Sequence, residues 1–119
     1  MKINILNCTP HPVHLMNEEN EVVATFPKCE IAPRLLENSE IIETLELQSP
    51  HFVDIIQVPI SKTSFGDVEN LPAKSEGILL IVSRMILEAC ESRNDLIVPD
   101  GIVRNDKGHI IGCKSFARN

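Results

Sequence analysis

The chain has 119 residues, a length that fits one folded domain with a buried core. Its formal charge is −6 and its only aromatic residues are four phenylalanines, which argues against a general nucleic-acid-binding protein. That function needs a basic surface and usually aromatic rings on which bases stack. Tyrosine and tryptophan are absent, so the core is predicted to consist of isoleucine, leucine and valine.

The first part of the chain predicts three short β-strands. Residues 3–7 and 13–16 are rich in β-branched and other apolar side chains, and Pro10 and Pro12 between them favour an extended or turn conformation. Residues 21–27 continue this composition after a polar stretch that is typical of a turn. We therefore expect the second and third segments to form a β-hairpin.

The middle of the chain predicts two further strands and a polar turn. Residues 31–37 contain a proline and are expected to form an extended crossing segment. Residues 41–47 alternate apolar and acidic side chains, which predicts a half-buried strand, although a short helix from Ser39 also fits the pattern. Residues 52–58 predict another strand, and the glycine and polar residues within 61–70 predict a turn.

The last third of the chain predicts the most buried strand and the main helix. Residues 78–82 are continuously apolar, which indicates burial on both faces of a strand. Ser83 has the side chain of a helix N-cap, and apolar side chains four positions apart within 84–91 share one helical face. Strands are also expected over residues 96–98 and in a hairpin over 102–113.

These elements predict an α+β fold. We expect a β-rich single domain over residues 1–119, in which an antiparallel or mixed sheet with hairpins packs with one main helix around 83–92. The chain opens like a strand rather than a signal peptide, and no apolar run approaches the ~18 residues of a membrane span. A cytoplasmic protein without membrane contact is therefore expected, with its four cysteines as free thiols.

Cysteine and histidine residues offer two partial metal sites. The first set lies near the start of the chain: Cys8, His11, His14 and Cys29. Its spacing of three is typical of zinc ligands, but His11 lies between two prolines and no paired Cys-x-x-Cys accompanies it. The second set, His109 and Cys113, lies four residues apart in a strand, which is too far for a chelate. We therefore predict no metal ion and no other cofactor.

Cys113 is the candidate nucleophile of the chain. His109 lies on the same strand face, so a thiol and a base are within one element. The sequence indicates no oxyanion donors and no second group to orient the histidine. We therefore expect the cysteines to fill the core as small apolar residues, and we expect no enzymatic activity.

Hydroxyl, guanidinium and imidazole groups from separate segments predict a pocket for a small anion. Ser83 and Arg84 lie at the predicted start of the helix, where backbone N–H groups bind phosphate. Further candidate groups come from other segments: Thr63, Ser64, Arg93, Arg104 and His11. Guanidinium groups hold phosphate oxygens, and the ring of His11 or Phe65 can stack on a base. The pattern predicts a site for a nucleotide-like ligand.

The same arginines also have a purely structural interpretation. Arg93 lies two residues from an aspartate at the end of the predicted helix, and the two side chains can pair locally. Arg104 can pair with Asp106 or Asp100 on the surface, where an ion pair contributes little to stability. The sequence leaves both interpretations open.

Several short motifs resemble a family of small proteins encoded by bacteriophages and prophages. Residues 7–13 read Asn-Cys-Thr-Pro-His-Pro-Val, similar to a family opening of Asn-Leu-Thr-Pro-His-x-Val. Residues 63–68 read Thr-Ser-Phe-Gly-Asp-Val, residues 93–100 read Arg-Asn-Asp-Leu-Ile-Val-Pro-Asp, and residues 108–113 read Gly-His-Ile-Ile-Gly-Cys. Cys8 replaces an aliphatic residue of the family pattern, which implies that position 8 packs in the core.

The resemblance implies a viral accessory protein in the host cytoplasm, and it implies no particular activity. The first hypothesis is a non-enzymatic, anti-defence protein that sequesters a phosphate-bearing small molecule such as a nucleotide signal. The second is an inhibitor of a host protein, or an assembly factor, that uses an acidic surface and exposed strand edges. The third is a small hydrolase or zinc protein that uses the cysteines and histidines. Small β-rich domains often pair through exposed strands, so we also expect a homo-oligomer.

Overall fold

The computed structural model describes residues 2–48, 50–51 and 54–119. The described chain is 54% strand and 5% helix. Its elements in chain order are β1 (Asn4–Asn7), β2 (Val13–Met16), β3 (Val22–Phe26), β4 (Arg34–Leu47), β5 (Ile56–Glu69), β6 (Ile78–Ile81), α1 (Arg84–Ala89), β7 (Leu96–Arg104) and β8 (Ile110–Ala117). The first two residues of the strand predicted over 52–58 lie outside the described residues.

The prediction of an α+β fold with one main helix around 83–92 is wrong, because the protein is a β-rich fold with a nearly closed sheet. Ser83 does cap α1, and its Oγ accepts a hydrogen bond from the Ile86 N–H at 3.4 Å. The helix then ends after six residues. Met85 is 52% exposed while Ile86 and Leu87 are buried, so the apolar face that holds the helix is narrow. Helical spacing alone overestimated its length.

Six strands form a sheet in the order β1-β6-β7-β8-β2-β3. β6 pairs in parallel with both β1 and β7, whereas β7 and β8 form the predicted antiparallel hairpin. β8 then pairs in parallel with β2, which forms the predicted hairpin with β3. The two edge strands approach each other, since the Asn7 Nδ2 donates to the Phe26 carbonyl at 3.1 Å. We call this approach of β1 and β3 the seam.

The core under this sheet is aliphatic, as the composition predicts. Its buried cluster consists of Cys8, Leu80, Val82, Ile86, Leu87, Leu96 and Val98. Leu80 and Ile81 of β6 are both almost fully buried although adjacent residues point to opposite faces. The prediction that this strand is buried on both faces is confirmed.

The chain divides into two compact units. The sheet unit comprises Met1–Leu35 and Val68–Asn119, and the arm comprises Leu36–Asp67. In the arm, β4 and β5 pair as a two-stranded sheet. The single domain predicted over residues 1–119 stays a prediction.

The arm corrects two predictions for the middle of the chain. Residues 41–47 form part of β4, as one interpretation expected, but every one of them is exposed rather than half-buried. The turn predicted within 61–70 is absent from the structure, because β5 runs through this segment to Glu69. Gly66 lies within β5, and a Cβ atom built on it would lie 3.9 Å from the Cβ atom of Leu36. Gly66 and its polar neighbours therefore predicted a turn, but they lie within a long strand.

Gly112 marks the closest backbone approach between β8 and β2. A Cβ atom at this buried position would overlap the Met16 Sδ and would lie 2.9 Å from the His14 carbonyl oxygen. We therefore expect Gly112→Ala to lower the free energy of unfolding by about 2 kcal/mol, because the sheet must shift to accept the methyl group. Urea denaturation measures this change. Gly66→Ala is the matched control, with an expected change below about 0.5 kcal/mol; equal losses in both variants would contradict the close approach.

Candidate functional site

The seven predicted ligand residues fall in five separate places of the structure. They are Ser83 and Arg84 at the start of α1, His11 after β1, Arg93 after α1, Arg104 at the end of β7, and Thr63 with Ser64 in β5. The sheet unit contains five of them, and the arm contains the two hydroxyl residues of β5. Their local contacts decide which of these groups are available to a ligand.

Two of these groups of residues lie at one edge of the sheet, because the parallel strands β1 and β6 both end there. Asn7 lies opposite Ile81 in the parallel ladder, and the Cys8 N–H donates to the Ile81 carbonyl at 2.8 Å. The segment leading to His11 therefore leaves β1 at the end where Ser83 and Arg84 follow β6. Carboxyl ends of parallel strands are a frequent location for ligand sites. We call this edge the carboxyl edge.

Asn7 fixes the turn that follows β1. Its Nδ2 donates to the His11 carbonyl at 2.8 Å, and its Oδ1 accepts from the Thr9 N–H at 3.0 Å and the Thr9 hydroxyl at 2.6 Å. The side chain of Asn7 is only 2% exposed, whereas the His11 side chain is exposed. The backbone at His11 is therefore held in place while its imidazole faces solvent.

Arg84 has the most available guanidinium at the carboxyl edge. Within the described residues it makes no hydrogen bond and no ion pair, and it is exposed. Ser83 is also exposed, but its hydroxyl is already the helix cap. Because α1 has only six residues, the dipole at its start is weak and contributes little to anion binding. The carboxyl edge thus offers one free guanidinium and one imidazole.

Arg93 is engaged in a structural ion pair. Its Nε and Nη2 each donate to one carboxylate oxygen of Asp95 at 2.8 Å, and Nη2 also donates to the Pro72 carbonyl at 2.9 Å. The hydrogen bond from Arg93 holds the pKa of the Asp95 carboxyl below its usual range, against the opposite effect of burial, and Lys74 adds to the lowering. Arg93 is therefore occupied, as the structural interpretation of the sequence proposed.

Arg104 lies away from the carboxyl edge. Ile81 pairs with Ile97, so Arg104 is seven residues further along β7, about 23 Å at the usual rise of a strand. Its Nη1 donates to the Gly108 carbonyl at 2.8 Å and thereby ties the turn between β7 and β8. This contact also differs from the predicted pairs with Asp106 or Asp100. The structure does not bring Arg104 together with Ser83 and Arg84.

Thr63 and Ser64 are exposed residues of the arm. Ser64 lines a shallow polar depression of about 360 Å³. The other residues that line it are Asn38, Ser39, Glu40 and Lys62. The lysine and the glutamate balance each other in charge, so the depression lacks the excess positive charge that a phosphate requires.

The described residues contain no group of three or more metal-ligating side chains that could hold a metal ion. His14 Nδ1 instead contacts the Thr25 hydroxyl across the β2–β3 hairpin at 2.9 Å. Burial raises the pKa of the Cys113 thiol, and His109 is exposed, so the thiol is not activated as a nucleophile. Among the described residues, the partial zinc sets of the sequence therefore do not come together, and Cys113 lies buried while His109 is exposed.

The arm is an exposed, partly apolar surface that the sequence pattern did not predict. Among its described residues, Val58 and Ile60 are half-buried and all others are exposed. Its large exposed apolar side chains are Leu36, Ile41, Ile42, Leu45, Leu47, Ile55, Ile56 and Phe65. The sequence did contain a sign of this exposure. Glutamates recur at every third position of β4, whereas a strand with one buried face alternates polar and apolar side chains with a period of two.

No protein-family model matches the chain, and no curated protein or solved structure is significantly similar to it. In the part of the chain that the structure describes, no helix has both the length and the apolar character to span a bilayer. Any functional assignment therefore depends on the surfaces described above.

Proposed function

We propose that this chain is a non-enzymatic binding protein and that the arm contacts a basic partner protein. The observation that carries the proposal is the arm itself, which combines exposed apolar side chains with most of the net negative charge of the chain. The resemblance to phage-encoded accessory proteins favours a host protein as the partner. Inhibition by occupation of that partner's surface is the mechanism.

Exposed apolar side chains support a protein contact. Ile41 is 65% exposed, Ile42 56% and Phe65 54%. Several large exposed apolar side chains in one short segment support an interaction site, because monomeric proteins rarely expose large apolar patches. A two-stranded sheet alone is also marginally stable in water, so an additional packing surface would stabilise the arm.

The charge of the arm supports a basic partner. Between residues 36 and 67 there are six acidic side chains and one lysine, a net charge of −5, compared with −6 for the whole chain. Complementary charge accelerates encounter and excludes partners of like charge. A second copy of the arm would be repelled for the same reason, which disfavours contact between two arms.

Both faces of β4 are suited to this contact. Glu37 and Glu43 share one face of the strand with Ile41, whereas Glu40 shares the opposite face with Ile42. Acidic and apolar side chains therefore occur on each face. A groove that encloses the arm, with lysine or arginine at its rim and apolar side chains inside, satisfies both faces at once.

Charge reversal in the arm tests the proposal. We expect Glu40→Lys combined with Glu43→Lys, which changes one acidic residue on each face, to weaken partner binding at least about tenfold. The partner is recovered from bacterial lysate with the full chain, purified, and its dissociation constant measured at low and high salt. Binding by the original chain should weaken as salt rises, and the purified partner should be basic.

The matched control carries the same charge change in the sheet unit. Glu88 and Glu91 are exposed residues in and just after α1, and Glu88→Lys combined with Glu91→Lys should leave the affinity unchanged. Equal weakening in both variants would show that net charge alone drives binding. If sedimentation shows self-association and the lysate yields no basic partner, the proposal of a basic partner is overturned.

A second candidate function is capture of a phosphate-bearing small molecule at the carboxyl edge. Its support is the free guanidinium of Arg84, which follows β6 at the sheet end where the segment with His11 leaves β1. Inorganic phosphate and nucleotides are the probes, and the melting temperature is the readout. A stabilisation that disappears in Arg84→Ala but persists in Arg104→Ala supports this function; no stabilisation by any probe excludes it.

A further inference from the structure

Two of the four free cysteines lie on neighbouring segments at the seam. Cys8 directly follows β1, and the Cys29 N–H donates to the carbonyl oxygen of Thr9 at 3.0 Å. The N–H of Cys8 itself donates to Ile81, so this end of β1 is held on both sides. The segment after β3 is therefore fastened to the segment after β1 at the position of the two thiols.

The backbone arrangement is compatible with a disulfide. A disulfide joins Cα atoms separated by about 4.4–6.8 Å, and the backbone hydrogen bond from Cys29 reaches Thr9, the residue next to Cys8. Burial, and second the charge of Cys29, raise the pKa of the Cys8 thiol. The other two cysteines lie in other elements: Cys90 is the C-cap of α1, and Cys113 lies in β8.

We propose that Cys8 and Cys29 form an oxidation site at which a peroxide converts the two thiols into a disulfide. Each thiol loses its hydrogen and one sulfur–sulfur bond forms. The oxygen–oxygen bond of hydrogen peroxide breaks, accepts the two electrons and two protons, and yields two water molecules. Half-buried Cys29 is the point of access for the oxidant, whereas Cys8 is 5% exposed.

The disulfide would close the seam covalently. It would connect the end of β1 to the segment that leaves β3 and enclose the β2–β3 hairpin in a loop of about 20 residues. Such a loop restricts the unfolded chain, and for a chain of this length the melting temperature is expected to rise by about 10 °C. Oxidation would thus stabilise the sheet without a change in its strand order.

Peroxide treatment of the full chain tests the site. Accessible thiols after denaturation should fall from four to two, peptide mapping should recover a Cys8–Cys29 cross-link, and the melting temperature should rise. A reducing dithiol should reverse all three changes. Cys29→Ser should abolish them, whereas Cys90→Ser, which alters another half-buried cysteine, should leave the cross-link and the stabilisation intact.

Two outcomes would overturn the proposal. Four remaining thiols after treatment would show that the pair does not oxidise. A cross-link between other cysteines, or between two chains, would show that Cys8 and Cys29 are not the partners. Because Cys29 is half-buried, its serine variant is expected to fold, which a normal melting transition under reducing conditions verifies.

Discussion

Replacing Asn7 with alanine is expected to lower the free energy of unfolding by about 3 kcal/mol, because a buried side chain with four hydrogen bonds is removed. Two of these bonds are donated to the carbonyls of His11 and Phe26, and two are accepted from Thr9. After the substitution, both carbonyls would lose a donor. Asn7 is also the side chain that links the edge strands across the seam, so its loss should loosen the sheet there.

Asn105→Ala is the control for Asn7→Ala. Urea denaturation measures the free energy of unfolding of both variants and shows whether Asn7 contributes more than an asparagine in an ordinary turn. Asn105 accepts from the N–H groups of Lys107 and His109 in the exposed turn between β7 and β8. Its replacement is expected to cost only about 1 kcal/mol, because water can satisfy the exposed groups. A loss at Asn7 no larger than the loss at Asn105 would contradict the assignment of Asn7 as the link across the seam.

The short strands of the sheet unit could be predicted because local composition determines them. β-branched runs bounded by prolines or polar turns gave β1, β2 and β3, and the continuous apolar run gave β6. Local patterns also predicted the β7–β8 hairpin. Its turn is closed by a hydrogen bond of 2.9 Å from the Asn105 N–H to the His109 carbonyl. These elements need no knowledge of their neighbours in space.

The helix and the arm could not be predicted in the same way. Apolar side chains four positions apart within 84–91 suggested a longer helix, but only tertiary packing shows that Ile86 and Leu87 are the buried residues. In the arm, alternation over 41–47 suggested one buried face, whereas the strand is exposed on both. Apolar content alone does not separate a half-buried strand from one that is exposed on both faces, and only the glutamates at every third position of β4 argued against a buried face.

The candidate site depended on strand order, which motifs do not contain. Arg84 and Arg104 are equally plausible phosphate ligands as sequence neighbours of apolar strands. The parallel pairing of β1 with β6 then places the segment of His11 and Arg84 at one edge, and the length of β7 carries Arg104 away from it. Strand order follows from long-range contacts, which no local pattern shows.

Arg93→Ala is expected to destabilise the protein by about 3 kcal/mol at neutral pH, because it leaves the Asp95 carboxylate buried without its bidentate partner. Asp95 is 3% exposed, and its remaining neighbouring cation is Lys74, which also hydrogen-bonds the Asn94 side chain. Urea denaturation at neutral pH measures the loss. Arg104→Ala, which removes one exposed hydrogen bond to a backbone carbonyl, is the control and should cost less than about 1 kcal/mol.

The pH dependence gives this prediction its sharpest test. Because the pKa of Asp95 is lower in the folded protein than in the unfolded chain, its stabilising contribution is complete above about pH 4 and is lost as pH falls through the folded value. The difference between the original chain and Arg93→Ala should therefore narrow as the pH drops below about 4. A difference that stays constant in acid would contradict the pair. No loss at neutral pH would show that Arg93 is free, and it would return this guanidinium to the candidate anion site.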